Sequence, residues 1–319
     1  VALSARHRDR PLTRLPERAR TRSSVSSSRA PVLAPTSRPR YTPDMSTDLE
    51  TLGREARAGL AGAADERALE AWRATGRGHA AMTFGCRAVI LACGGFEGNP
   101  EMVVRYIGPK GRYLRPVAHG GYYDKGEGIA MALNIGAAPA GDFAEYHAEP
   151  IDPRSSATEP LVMAYPYGIL VNQQGLRFTD EAPGSIDASY EDTTRIIAAQ
   201  SKGIAFCILD DKINAIENWH RCVRTDQLAV TAPDIATLAR TLGFDGTAAE
   251  RTIAAYNQAC PKSGTFNPRA LDGLATTGLT PAKSNYAVPL DTPPYHAYPV
   301  ISSNTFTFGG LKVNTNTQV

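Results

Sequence analysis

No apolar run in this chain approaches the ~18 residues that a membrane-spanning helix needs, so no transmembrane segment is expected. Cysteine is scarce and unpatterned. Cys86, Cys93, Cys207, Cys222 and Cys260 are odd in number and form no CxxC pair, which excludes a zinc-finger spacing and a disulfide framework. No metal site is expected, and a reducing, cytoplasmic setting is the simplest reading. Lysine is absent from residues 1–40, which hold ten arginines against Asp9 and Glu17. That arm carries a net charge of +8; since the whole chain is +2, residues 41–319 carry −6. The sequence pI of 8.3 therefore describes the arm, and an acidic body argues against a nucleic-acid-binding surface there.

What is present begins with Arg, Ser and Pro. Ordering a residue costs ~1–2 kcal/mol of backbone entropy, and residues 1–44 have almost no apolar surface to offset it, so disorder is expected. The composition fits an organelle transit peptide, a basic arm touching nucleic acid, or residues outside the native frame with Met45 as the natural start. Within residues 45–85, a segment of uncertain origin, leucines and Trp72 predict a helix from Asp48 to Thr75, broken at Gly76 and Gly78.

The stretch that organises the remainder runs from Arg87 to Pro100. Ala88 to Ala92 is an unbroken apolar run, expected as a strand covered on both faces in a parallel sheet, and it stops at Gly94 and Gly95. Asn99 is a good N-cap and Pro100 suits the first helical position. A helix over Glu101–Ile107, closed by Gly108 and Pro109, follows. In open α/β sheets ligands sit beyond the carboxyl ends of the strands, and Gly94 and Gly95 carry no side chain to block one. A second glycine station, Gly120–Gly128, opens a helix over Ile129–Ile135. Such a loop directs backbone N–H groups and a positive dipole end forward, which suits a phosphate.

Beyond Gly141 the texture changes. Gly168–Asn172 and Leu176–Thr179 read as a hairpin, Glu191–Ser201 as a helix and Gly203–Leu209 as a strand. Asp234–Leu242 and Thr247–Gln258 read as paired helices, the second opened by a capping box of Thr247 and Glu250. Tyr295–Val300 and Leu311–Asn314 are expected strands around Thr305–Gly310.

Three stretches in this order resemble the FAD-dependent oxidoreductases of fumarate reductase/succinate dehydrogenase type. They are Ala88–Phe96 with Asn99–Met102, Gly168–Glu181, and Thr305–Asn314. Tyr165–Gly168 before the hairpin, and the wording of Thr305–Gly310, are most like the tricarballylate dehydrogenase-like branch. The resemblance runs from about Cys86 to Val319. It implies an α/β chain in which a partial, doubly wound FAD-binding domain (86–141 and 286–319) is interrupted by an α+β capping domain (142–285). The departures are clear. GxGxxG, which cradles the FAD pyrophosphate in relatives, is absent, and the chain ends before their closing Ala-Gly-Glu-type motif, so a middle section of a longer flavoenzyme is expected.

The resemblance implies that Ala92, Gly94, Gly95, Phe96, Thr307, Phe308, Gly309 and Gly310 approach FAD. Gly126, Glu127 and Gly128 stand where relatives carry Gly-Asp-Gly. His147 matches a substrate-binding histidine in order, and Arg195 follows the hairpin as the proton-shuttling arginine does, with Tyr190 its rival. Thr305, with Phe306, stands where relatives place a histidine pair, and Arg177 either braces the hairpin or joins the chemistry. The apolar Leu161–Ala164 falls where fumarate reductases grip a C4 dicarboxylate, which disfavours simple fumarate chemistry. The expected function is oxidation or reduction of a polycarboxylate such as tricarballylate by hydride transfer between a substrate carbon and flavin N5, with an unidentified electron acceptor. Two alternatives stand beside it. One is a 3-ketosteroid-type dehydrogenase using Tyr165, Tyr167 and Tyr190 in an apolar pocket; the other is a non-catalytic fragment that binds no FAD.

Overall fold

The computed structural model describes residues 89–319 and the backbone of Ala2–Leu3. The arm expected over 1–44 and the helix expected from Asp48 to Thr75 otherwise lie outside the described residues.

The main sheet is antiparallel but for one pairing, and its axis is a strand near residue 300. In chain order the strands are β1 (Val89–Ile90), β2 (Arg115–Pro116), β3 (Pro139–Ala140), β4 (Tyr146–His147), β5 (Pro150–Ile151) and β6 (Ile169–Asn172). They continue as β7 (Ile204–Asp210), β8 (Val230–Ala232), β9 (Tyr295–Asn304), β10 (Phe306–Thr307) and β11 (Gly310–Leu311). β9 runs antiparallel to β7 from Tyr295↔Asp210 to Ile301↔Ile204, and β6 adds to the far side of β7 from Ile169↔Ile208 to Asn172↔Ala205. On the other side of β9, β8 pairs with Tyr295–Ala297 and β5 with Ile301 and Ser302. Pro299 falls between those two spans, where β9 borders a strand on one side only, the place a residue without an N–H is tolerated. Among the described pairings the only parallel one is β9 with β2, at Ser303↔Arg115 and Asn304↔Pro116.

Alternate residues of this sheet feed two cores. Ile169, Val171, Phe206 and Ile208 pack with Leu238, Ile253 and Tyr256 from two helices, α4 (Ile235–Leu242) and α5 (Gly246–Ala259). Leu170, Ala205, Cys207, Leu209 and Val300 pack on the opposite side with Tyr165 and with Ile197 of α3 (Ile186–Ala198). A third core joins the glycine-loop region: Phe96, Val103 and Ile107 meet Ile129, Tyr146 and Ala148 across α1 (Pro100–Ile107) and α2 (Glu127–Asn134).

Several expectations need correction. The run Ala88 to Ala92 was expected as a buried strand, but of its described residues only Val89–Ile90 are extended; they pair with Ala2–Leu3 and are 45% and 79% exposed. Among the described strands the parallel pairing is limited to β9 with β2. The second limb of the hairpin forms a single bridge, Val171↔Arg177, because the chain turns to carry Arg177 inward to Glu181. α3 begins at Ile186 rather than Glu191. α5 is capped by Asp245, whose carboxylate accepts the Ala248 N–H at 2.9 Å, rather than by Thr247. The boundary expected at 285/286 falls between β7 and β9, which pair from Tyr295↔Asp210 to Ile301↔Ile204.

Candidate functional site

Asn99 fixes the glycine loop. Its Oδ1 accepts the N–H groups of Glu101 and Met102, starting α1, and its Nδ2 donates to the Lys125 carbonyl at 2.8 Å, tying the loop to the second glycine station. The Gly98 N–H adds a bond to the Asp124 carbonyl, and the Lys125 ammonium donates to the Gly98 carbonyl. Thr307 of β10 closes the third side, its Oγ1 accepting the Phe96 N–H at 3.1 Å. These elements enclose a cavity of about 240 Å³ lined by Leu91–Gly95, Gly128, Ile129, Thr307 and Gly309–Leu311. Seven of the expected cofactor residues, Ala92, Gly94, Gly95, Gly128, Thr307, Gly309 and Gly310, thus share one wall. Phe96 is wholly buried in the third core and reaches the loop only through its backbone. Gly126, at φ +78°, packs on Met102 and Phe96; Glu127 lies exposed in the first turn of α2; Phe308 points out, 40% exposed.

The glycines have a reason of their own. A Cβ on Gly94 would sit 2.6 Å from Asp124 Oδ1, and one on Gly95 2.7 Å from Glu97 Oε2 and closer still to Thr307 Oγ1. The space over them is filled by the protein's own carboxyls and hydroxyl, whereas Gly310 faces open space.

A polar cluster adjoins this cavity through β10. Phe306 pairs with His147 across β10 and β4, and the two rings stack at 4.9 Å with 4° between their planes. His147 Nε2 shares a 3.2 Å hydrogen bond with the Tyr190 hydroxyl, and its Nδ1 lies 3.6 Å from Glu191 Oε1. The same Glu191 oxygen holds Arg195 Nη2 at 2.8 Å; that guanidinium also meets Glu145 at 3.0 Å and Asp192 at 3.7 Å, and donates to the Tyr146 carbonyl at 2.7 Å. Thr305 donates to Glu149 at 2.9 Å. Partial burial first, then the charges of Glu149, Glu191 and Asp187, hold the Tyr190 phenol above its ordinary pKa, so it stays protonated. His147, Tyr190, Arg195 and Thr305 are therefore gathered on β4, α3 and the start of β10.

Two expected residues lie elsewhere. Tyr165 is wholly buried in the core under α3, where burial raises its pKa. Tyr167, its phenol raised to about 12 by burial, bonds the Pro268 carbonyl and lines a separate cavity of about 340 Å³ with Ile213, Ile216, Phe266 and Leu290. Arg177 braces the hairpin: it grips Glu181 at 2.9 and 2.6 Å and donates to the carbonyls of Pro281 and Thr179. Glu97 was missed. It is 7% exposed beside Gly95, and the available signal was an acid between glycines in an otherwise uncharged loop.

Comparison with known proteins decides the family. The model of the FAD binding domain matches residues 49–319. The chain belongs to that family. Its cofactor is FAD. Over 234 residues it is 26% identical to the NADH:fumarate oxidoreductase of Klebsiella pneumoniae (strain 342), covering 73% of this chain and 23% of the relative. It is 28% identical to the fumarate reductase (cytochrome) of Shewanella frigidimarina over 73% of this chain and 37% of that protein. The chain thus spans well under half the length of these curated relatives. The fold is similar to the open conformation of a flavocytochrome c3 fumarate reductase, with a TM-score of 0.53 at 21% identity over 71% of this chain and 36% of that one.

On these residues, FAD fits in part. The cavity wall is backbone and small side chains, open at Gly310, with the N-terminal turn of α2 at Gly128 beside it, which suits the edge of a ring or an anionic linker. Its 240 Å³ is below the ~300–1,000 Å³ of ligand pockets, so it takes a portion of the cofactor.

Proposed function

We propose that this FAD-binding chain supplies cofactor-loop and substrate-side residues of an oxidoreductase acting on the CH–CH bond of a polycarboxylate such as tricarballylate. The observation that carries this is the adjacency within β10: Thr307 lines the glycine cavity while Phe306, one residue before it, stacks on His147. A reacting carbon at the cofactor edge would then have imidazole, phenol and guanidinium within one cluster. FAD supplies the hydride acceptor when bound. The chain's own residues would do the rest. Arg195 draws a substrate carboxylate by displacing Glu145, the more exposed of its two nearest carboxylates, and relays the proton removed from the neighbouring carbon, passing one of its own to Glu191 Oε1 at 2.8 Å as it takes that proton up. His147 grips a second carboxylate, oriented by Glu191. An electron-transfer partner completes the cycle.

The 3.2 Å bond between Tyr190 and His147 favours a second assignment of the proton step, in which the phenol exchanges it through the imidazole. The steroid-type alternative loses support, since it needs Tyr165, Tyr167 and Tyr190 around one apolar pocket and Tyr165 has no exposed surface. Turnover of polycarboxylates by Tyr190→Phe and Arg195→Ala separates the two proton routes. Loss of kcat in Arg195→Ala with Tyr190→Phe within about twofold supports the arginine, and the reverse assigns the tyrosine. Full activity in both overturns the cluster as the reaction site.

A further inference from the structure

The cavity of about 340 Å³ that Tyr167 lines shares no residue with the glycine cavity or with the His147 cluster, and the chemistry above does not use it. One wall is Ile213, 3% exposed, with Ala215 and Ile216 at the end of the short turn that follows β7. A second wall, Val288–Leu290, is pinned to α5: the Tyr256 hydroxyl donates to the Val288 carbonyl at 3.1 Å, and Asn257 exchanges two hydrogen bonds with the backbone of Leu290, at 2.9 and 2.7 Å. The third wall is aromatic. Tyr167 and Phe266 stand edge to face with ring centroids 6.2 Å apart and 78° between planes, and the Tyr167 hydroxyl donates to the Pro268 carbonyl at 3.0 Å. Tyr286, outside the lining, packs on both rings at 5.4 and 6.1 Å. Protein interiors are close-packed, and a void forfeits contacts on its lining. Walls fixed by hydrogen bonds and ring contacts keep this space from collapsing, which marks a site rather than a packing defect.

The charges at its rim are already matched. Lys212 donates to Asp210, to Asp291 at 2.6 Å and to Thr292 at 3.0 Å, while Asp210 also accepts the N–H groups of Asp291 and Thr292 at 3.0 Å each. Beside Ile216 and Pro268, Glu217 pairs with Arg269. A charged ligand would have to shed its hydration and break one of these pairs, whereas a neutral ring buries against aromatic and aliphatic side chains and breaks none. Ligand pockets run ~300–1,000 Å³, so this volume suits a small molecule. We propose that the cavity binds a small, neutral aromatic molecule of one or two rings, packed against Tyr167, Phe266, Ile216 and Leu290. The proposal does not rest on the oxidoreductase reading, and it stands if that reading fails.

Calorimetric titration of the full chain at neutral pH, with naphthol and with its charged counterparts naphthoate and naphthylmethylammonium, tests the proposal. Saturable binding of naphthol at one site is expected, with shifts of the Ile213 and Ile216 methyl signals by NMR. Both ions are expected to bind about tenfold more weakly or worse. Ala215 is exposed at the rim, so Ala215→Trp places a bulky ring in the cavity without disturbing a core and should abolish binding. Phe266→Ala removes part of the aromatic wall and should weaken naphthol by about tenfold. Absence of saturable naphthol binding, or binding that neither substitution changes, overturns the site. Either ion binding as tightly as naphthol overturns the preference for a neutral ligand.

Discussion

Two arginines, each paired with a glutamate one helical turn or its equivalent away, behave in opposite ways. Arg177 and Glu181 have side chains 3% and 0% exposed, and every strong donor and acceptor is spent: on each other, on the carbonyls of Pro281 and Thr179, and on the Leu170 N–H. Tyr256 lies under the guanidinium, and wholly buried Lys283 donates to the carbonyls of Pro166 and Gly168 beside it. Arg195 is 24% exposed and shared among Glu145, Glu191 and Asp192, more acid than its single charge can satisfy. A saturated pair holds a fold together, whereas an over-subscribed, part-exposed cation can exchange a protein carboxylate for a substrate's. Burial and saturation separate the two roles; residue type and spacing do not.

The largest effect follows from breaking the saturated pair. Arg177→Ala leaves Glu181 buried without its cation and is expected to cost ~3–5 kcal/mol in denaturant melting; a cost below about 1 kcal/mol would erase the contrast. Next comes Lys283. Burial holds its ammonium down to about 8 against 10.5, so between those values the unfolded chain keeps a proton that the folded chain has released. Stability from this group therefore rises with pH across that window, by up to about 3 kcal/mol. The difference in stability between the unsubstituted chain and Lys283→Met, measured from pH 7.5 to 10.5, should show that rise; no pH dependence would mean the lysine is not held in a low-dielectric site. Smallest is Arg195→Ala in the same melts, below about 1 kcal/mol, as for exposed ion pairs.

Local chemistry was the legible part. Asn99 and Pro100 announce α1 because a cap and a fixed φ act within one turn, and Gly243, at φ +80°, ends α4 for the same reason. What depends on distant partners was not legible. The apolar run after Arg87 has the composition of a covered strand, yet composition cannot say what covers it. β9 continues to Asn304 through Ser302 and Ser303, polar residues that the sheet buries by pairing them with β5 and β2. Thr247 and Asp245 are both credible caps two positions apart, and only the chain path selects the aspartate. The gathering of His147, Tyr190 and Arg195 was expected from likeness in order along the chain. The partner that joins them, Glu191, and the stacking of Phe306 emerged only in three dimensions.

The most direct test of the site is rapid mixing of the FAD-loaded chain with tricarballylate, following the visible absorbance of the flavin, in the unsubstituted protein and in Arg195→Ala. Bleaching is expected to slow by ~10²–10³ in the variant, as on removing a charged donor from the reacting centre, while its stability falls by less than about 1 kcal/mol. Bleaching within about twofold of the unsubstituted rate would contradict the account.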